Sequence, residues 1–438
     1  MRKVVVLCYV FMGLLIIACN ISWAAAPVLK ESFPRLMGMN IGAKNYHDKR
    51  YQEEMSRLDI VILGFYPGWG PQPGASVQDV VLAIKQRNPH ILVGQYTVLD
   101  EAYDNLDINI ADKDKYFKLK KEAWWLRNSA GRKLQWTDEN NAWMINITEW
   151  AKPDGEGRRY PEWLADRDYR MYFAPVPEFD IWYFDNINYG PRVVADWDLD
   201  GRDDDKSNPV IEAAYRRGHR AQWDSVRRLA PTRLLLGNTD NDLSYPEFVQ
   251  ALNGAFLEGI MGLKWSIETW GGWYKAMDRY WAAVKNTALP HLVGFNVWGD
   301  PEDYRFFRYA YASCLMGDGY FSFTDKNKVY SSVPWFDEYS IDLGNAIDPP
   351  QKVAGQNGIY KRAFKNGMAI VNPTTRAAEV DFSEPLYLLA GIQDKHVNNG
   401  KRVLKLTIDP KDGLILSRYP VVPRIYKSSA EDMRRLIH

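Results

Sequence analysis

Eight short apolar runs, separated by stretches with helical spacing, set the strongest limit on what this chain can fold into. They are Leu36–Ile41, Asp59–Tyr66, His90–Leu99, Asp180–Asp185, Arg233–Asn238, Ala255–Ile260, His291–Trp298 and Gly319–Thr324. Helical patterns cover Tyr51–Leu58, Val77–Arg87, Glu162–Phe173, Val210–Leu229, Tyr245–Leu252, Tyr274–Lys285 and Tyr304–Leu315. This strand-and-helix alternation predicts an α/β fold, a (β/α)8 TIM barrel. A doubly wound open sheet is the rival. No Gly-x-Gly-x-x-Gly follows the first run, which weakens the dinucleotide-binding version of that rival.

Beyond Asp348-Pro349-Pro350 the pattern changes to short runs between Gly, Pro and Asn turns: Gly358–Phe364, Met368–Val371, Ala378–Phe382, Leu386–Leu389 and Val403–Ile408. These predict a small C-terminal all-β sandwich domain. The expected division is a barrel over residues 28–348, a β domain over 352–426 and a short tail over 427–438.

The N-terminus reads as a targeting segment. Arg2 and Lys3 precede an apolar run from Val4 to Ala18, too short for a comfortable membrane span, and Ser22-Trp23-Ala24 offers a small-x-small cleavage site. Residues 1–24 are therefore expected to be a signal peptide, and the mature protein to be secreted or periplasmic, with no transmembrane span. Ile16-Ile17-Ala18-Cys19 is a looser match to a lipoprotein box that would anchor the chain at Cys19. Cys8 and Cys19 both fall in this leader, so Cys314 alone remains and no intrachain disulfide can form.

Acids stand where two of the buried runs end. In Phe179-Asp180-Ile181-Trp182-Tyr183-Phe184-Asp185-Asn186, alternation turns Tyr183 and Asp185 toward the barrel axis and Trp182 and Phe184 toward the helices. Gly254-Ala255-Phe256-Leu257-Glu258-Gly259 places Glu258 likewise. Barrel active sites form at the C-terminal ends of the strands, and two carboxylates there can run glycoside hydrolysis. The ordinary alternative is a capping or salt-bridged acid. Separation decides the mechanism: about 5 Å implies a covalent glycosyl intermediate, about 6.5–9.5 Å an attacking water.

Other strand-end polar residues, Asn40, Tyr66, Tyr96, Asn238, Asp240, Asn296 and Asp325, can bond sugar hydroxyls, and Trp69, Trp265 and Trp298 can stack beneath rings. With 17 Trp, 26 Tyr and 17 Phe, the chain has rings both for a large core and for a groove. Asp337 and Glu338 are a reserve acid pair. Long connections at Asp100–Tyr160 and Ile187–Pro209 emerge on the same face as the strand-end acids.

Within the second connection, Asp196, Asp198, Asp200 and Asp204 stand around Gly201 with the D-x-D-x-D-G spacing of a calcium loop, although Ser207 replaces the usual Glu at the twelfth position. A structural calcium is one reading and a solvated acidic loop the other; no cofactor is required for catalysis. The six His include no H-x-H and no H-E-x-x-H, and no G-x-S-x-G is present, so zinc and serine-nucleophile chemistries lack their usual residues. Lys+Arg and Asp+Glu balance at 55 each with no basic stripe, which argues against nucleic acid and leaves carbohydrate as the expected partner.

Short stretches of the chain resemble the barrel glycosidases grouped as a hypothetical glycosyl hydrolase family. They are Trp124-Trp125-Leu126-Arg127-Asn128 with Gly131, Phe179–Asn186, Asp196–Gly201, Gly254–Gly259, Trp335–Gly344, and Gly358-Ile359-Tyr360-Lys361-Arg362 through Gly367 to Asn372-Pro373. The plan is more remotely similar to α-galactosidases and endo-polygalactosaminidases. In α-galactosidases the nucleophile ends strand four and the acid/base ends strand six. The resemblance thus implies Asp185 as nucleophile and Glu258 as acid/base of a retaining glycoside hydrolase acting on a polysaccharide or oligosaccharide; Glu258 departs from the Asp found there. A non-catalytic carbohydrate-binding protein and a transglycosylase are the alternatives.

Overall fold

Four strands of a single parallel sheet end in a polar or acidic residue, Asn40, Asp185, Asn238 and Asp325, and all four fall at one rim because every strand points the same way. The structure is a computed structural model describing residues 29–43, 45–64, 76–104, 113–138, 141–239, 250–356 and 358–423. The leader with Cys19, the tail, Tyr66, Trp69, Asp240 and most of the expected helix Tyr245–Leu252 lie outside the described residues.

In chain order the elements are β1 (Met37–Asn40), α1 (Lys49–Ser56), β2 (Ile60–Leu63), α2 (Val77–Arg87), β3 (Leu92–Val98), β4 (Glu101–Tyr103), α3 (Lys113–Glu122) and β5 (Ala142–Met144). They continue with α4 (Tyr160–Asp168), β6 (Ile181–Asp185), α5 (Pro209–Leu229), β7 (Leu234–Asn238), β8 (Gly254–Met261), α6 (Ile267–Asn286), β9 (Gly294–Gly299), α7 (Tyr304–Cys314) and β10 (Tyr320–Asp325). Eight strands pair in parallel in the order β1-β2-β3-β6-β7-β8-β9-β10. A bridge between Leu36 and Phe321 returns the last strand to the first, with the Phe321 amide donating to the Arg35 carbonyl at 2.9 Å. All eight expected strands and the barrel they predict are present.

Alternation fills both sides of the sheet. Met39, Ile62, Leu92, Tyr183, Leu236 and Phe256 pack in the barrel interior, while Val61, Val93, Trp182, Phe184, Leu257 and Phe323 face the helices. Trp182 stacks on Phe173 with ring centroids 3.9 Å apart, and burying a ring of this size contributes roughly 4–6 kcal/mol before entropy. Caps fix the helix starts: Ser76 and Asp79 form a capping box on α2, and Asn208 caps α5 ahead of Pro209. Helix α4 begins two residues before its expected start, and the expected C-terminal part, Tyr169–Phe173, is a π-helical turn. The long connection after β3 is not bare loop; it holds α3 and the antiparallel β4–β5 pair.

The C-terminal all-β part is one six-stranded antiparallel sheet. Its strands are β11 (Gln351–Lys352), β12 (Tyr360–Phe364), β13 (Gly367–Asn372), β14 (Ala378–Tyr387), β15 (Arg402–Ile408) and β16 (Asp412–Ser417), in the order β11-β12-β13-β16-β14-β15. One face closes over Ile370, Val380, Leu386, Ile408 and Leu416; the other, with Ala369, Val371 and Ile415, joins the main core. Strand β16 approaches α7 so closely that a Cβ on Gly413 would lie 2.5 Å from the Arg308 carbonyl oxygen. Buried Arg308 donates to both carboxylate oxygens of Asp412, at 3.1 and 3.0 Å, and also pairs with Asp394.

The reserve acids Asp337 and Glu338 belong to the contact with the C-terminal sheet and not to the rim where Asp185 stands. Asp337 Oδ2 accepts the Ile392 and Gln393 amides, and Glu338 Oε1 accepts Asn398 Nδ2 at 2.9 Å. Both are buried where the loop after β14 meets the barrel. Burial pushes the Glu338 carboxyl from its ordinary 4.5 up to about 7, against the pull of Asn398 and Arg308. A raised carboxyl favours the folded chain while protonated. Its contribution is therefore complete below about pH 4.5 and is lost as pH rises through about 7. Glu338→Gln keeps an acceptor for Asn398 and removes the titration. Thermal unfolding should show it melting with wild type at pH 4.5 and a few degrees higher at pH 8, a difference on the order of 2 kcal/mol.

Candidate active site

Four adjacent barrel strands each turn one polar side chain inward at the C-terminal rim: Tyr96 from β3, Asp185 from β6, Asn238 from β7 and Glu258 from β8. Register aligns them, since Tyr96 pairs with Tyr183 and Asn238 with Phe256, each two residues below an acid. They form one hydrogen-bonded chain. Tyr96 Oη donates to Asp185 Oδ2 at 2.5 Å. Asn238 Nδ2 donates to Asp185 Oδ1 at 3.0 Å and to Glu258 Oε2 at 2.7 Å. Tyr330, in the loop after β10, donates to Glu258 Oε1.

One nitrogen thus holds both carboxylates, and the two bonds cap the separation of those oxygens at their total, about 5.7 Å. Beneath them the Tyr183 hydroxyl is held well above its ordinary value by burial, then by the charges of Asp185 and Glu258. Burial, followed by Glu258, does the same to Tyr330.

Alternation turns Glu258 inward, two residues beyond the interior Phe256, and an irregularity follows at once. The β8–β9 register shifts between Leu257 and Met261, and Gly259 adopts φ 53°. The strand thus bends immediately beyond Glu258. Asn296 pins it: its Oδ1 accepts the Gly259 amide at 3.0 Å while its Nδ2 donates to Ser322 Oγ and Thr324 Oγ1. Asn296 is fully buried, so its expected contact with sugar is corrected to a positioning role.

Asp325 is also buried, and its Oδ1 accepts the Asn327 amide in the turn that leads to Tyr330. Trp298 meets Tyr330 edge-on at 5.3 Å, and Asn40 is buried at the end of β1. Trp265 is 53% exposed beside the Gly259 bend.

A second acidic group, which strand-end reading passed over, lies beside Asp185. Buried Asp100 accepts Tyr215 Oη at 3.1 Å, and half-buried Glu101 accepts Trp136 Nε1 at 2.6 Å and Asn186 Nδ2 at 3.2 Å. Arg192 donates to Asn186 and Asn188 and stacks 4.1 Å from the Trp136 ring centroid. Burial, then the Glu101 charge, pushes the Asp100 carboxyl up to about 7; burial, then Asp185, raises Glu101. A signal for this group exists in the sequence, since Asp100 and Glu101 follow the third apolar run as Asp185 ends the fourth. Tyr330 has none, being one tyrosine in a loop.

In the calcium-like loop, oxygens of Asp196, Asp198 and Asp204 lie within 4.8 Å of one another. Asp200 is not among them; its Oδ1 accepts the Arg202 amide. Among the described residues no helix is long and apolar enough to cross a membrane.

No curated protein matches the chain. Among solved structures it is similar to the GH36 α-galactosidase AgaA of Geobacillus stearothermophilus, at 10% identity and TM-score 0.42, over 88% of this chain and 55% of that one. The chain thus spans about half the length of that enzyme. It is likewise similar to the glycoside hydrolase domain of PelA from Pseudomonas aeruginosa, at 15% identity, 68% and 97% coverage and TM-score 0.42. A cycloalternan-degrading enzyme from Trueperella pyogenes is similar at 11% identity, 90% and 64% coverage and TM-score 0.47. Likenesses this remote carry no argument about substrate. The sequence model of hypothetical glycosyl hydrolase family 15, however, matches residues 85–368, well over half of the chain and every residue of the Tyr96–Asp185–Asn238–Glu258–Tyr330 network, and the chain belongs to that family.

Proposed function

We propose that the protein is a retaining glycoside hydrolase in which Asp185 is the nucleophile and Glu258 the general acid/base. The observation that carries this reading is the Asn238 amide shared by both carboxylates. A ceiling of about 5.7 Å between the two bonded oxygens is compatible with the ~5–5.5 Å of retaining enzymes and supports that reading over an inverting one, whose carboxyls stand ~6.5–9.5 Å apart.

In the first step an Asp185 oxygen bonds to the anomeric carbon while the glycosidic bond breaks and Glu258 gives its proton to the leaving oxygen. In the second, Glu258 takes a proton from water, the water oxygen bonds to the anomeric carbon, and the Asp185–sugar ester bond breaks. Two donors, Tyr96 and Asn238, hold Asp185 in place and aimed; Tyr330 and Asn238 orient Glu258. The substrate is a polysaccharide or oligosaccharide, and the leader-like N-terminus supports action in the periplasm or outside the cell. The test is release of reducing ends from a panel of bacterial and plant glycans by wild type and Asp185→Asn.

A structural calcium in the Asp196 loop is part of the same reading. Three carboxylates, Asp196 and Asp198 at alternate positions and Asp204 six residues on, supply the oxygen ligands calcium prefers, and Asp196 Oδ1 is buried with no hydrogen-bond donor on it. The loop is tied to the segment before β5, where Ser129 N donates to Asp203 and Asp196 N to Arg127 O. Millimolar calcium should raise the melting temperature by the equivalent of about 1–3 kcal/mol, and EGTA should reverse it. No shift at about 10 mM calcium would exclude the ion from this loop.

A further inference from the structure

We infer that Trp265, Trp270 and Tyr274 form an aromatic track that binds the substrate polymer beyond the bond being cleaved, on its leaving-group side. The inference rests on the hydrolase reading and deepens it, since it makes the substrate a long glycan.

The track begins at the catalytic rim. Trp265 lies against Gly259, the residue after Glu258, so closely that an added Cβ would be 2.5 Å from the ring's Cη2. The loop beneath is rigid through its own bonds: Ser266 Oγ donates to the Gly259 carbonyl at 2.5 Å, and Thr269 Oγ1 to the Leu263 carbonyl at 2.8 Å. Trp270 is fixed next in line by its Nε1, which donates to the Trp265 carbonyl at 3.2 Å. The helical path then breaks at Gly272, with φ 81°. Past this break Tyr274 turns toward the C-terminal sheet, its ring centroid 6.0 Å from that of Tyr360. The rings thus run from the Glu258 bulge along the outside of α6 to β12.

These rings are held in place and yet left in water: Trp265 is 53%, Trp270 60% and Tyr274 48% exposed. In the same chain Trp124, Trp182, Trp197 and Trp223 are wholly buried, so a core was available for large rings. Exposed Thr269 lies between the two tryptophans in sequence and exposed Lys264 and Lys275 flank the three rings, with the Lys275 ammonium 3.9 Å from the Trp270 centroid, and no exposed Leu, Ile or Val occurs from 262 to 278. A protein partner favours a contiguous apolar centre. Separated rings with polar side chains between them suit a glycan, whose units present an apolar face and a hydroxyl edge in turn. Because Glu258 protonates the leaving oxygen, the part of the polymer that departs lies on Glu258's side, where the track starts.

The test uses full-length Asp185→Asn, which binds without cutting, in native gels cast with galactomannan, dextran, xylan or chitosan. At least one polymer should retard it, and adding Trp270→Ala with Tyr274→Ala should weaken that retardation tenfold or more at unchanged melting temperature. Equal retardation of both proteins, or none by any polymer, overturns the track. If the retarding polymer yields no reducing ends with wild type, the track stands and the hydrolase reading falls. If reducing ends appear but retardation ignores the two rings, the reverse holds. A dimer in sedimentation that the same substitutions abolish, without polymer binding, gives the face to a second copy of the chain and overturns the proposal.

Discussion

Replacing Asp185 with Asn should lower hydrolysis by about 10⁴-fold or more while leaving the fold and sugar binding in place. The substitution keeps shape and most of the bonding. The oxygen of the new side-chain amide can still accept from Asn238 Nδ2, and the Tyr96 hydroxyl can turn to accept from its nitrogen. What disappears is the charge that attacks the anomeric carbon. Rates by reducing-end release, binding by gel retardation and melting temperature separate the outcomes. Full hydrolysis by the variant would end the assignment of Asp185 as nucleophile. Binding by both proteins with no hydrolysis by either would establish a carbohydrate-binding protein in place of an enzyme.

Glu258→Gln should give the second largest loss, about 10²–10⁴-fold on a natural glycan, with a much smaller loss in the first step for an aryl glycoside whose leaving group needs no proton. The introduced amide oxygen can accept one bond, from Asn238 or Tyr330, so the local geometry holds. The dependence on leaving group is the informative readout, because a merely structural glutamate would impair both substrates alike. An equal loss on the two would move the acid role elsewhere, with Glu101, bonded to Asn186 beside the nucleophile, as the next carboxylate to replace.

Much of this site was legible because a buried parallel strand writes its direction and facing into the sequence. Alternation places Tyr183 and Asp185 inward, and parallel order brings Asp185, Asn238 and Glu258 to one rim. What alternation cannot show is a departure from it. The bulge at Glu258–Gly259 breaks the two-residue period, and Asn296, a strand-end amide in sequence, is used up in holding that bulge. Asp100 and Glu101 carry a strand-end signal, but the β4–β5 pairing that fixes Glu101 joins residues across 38 intervening positions, which no local pattern records. Asp337 and Glu338 carry the composition of a catalytic pair, but their partners Ile392, Gln393 and Asn398 lie more than 50 residues away.

Arg308 has a consequence for how the molecule can be divided. Its guanidinium is buried in α7, yet the carboxylates that neutralise it, Asp394 and Asp412, both come from the last fifty residues. A barrel expressed alone to residue 348 would keep the cation and lose both anions, a defect of about 3–5 kcal/mol against a total stability of about 5–15. Such a fragment should be recovered as aggregate, and protease nicking in the far sheet should abolish whatever hydrolysis the Asp185–Glu258 rim supports. The accessory sheet is in that sense part of the barrel's autonomy as a folding unit.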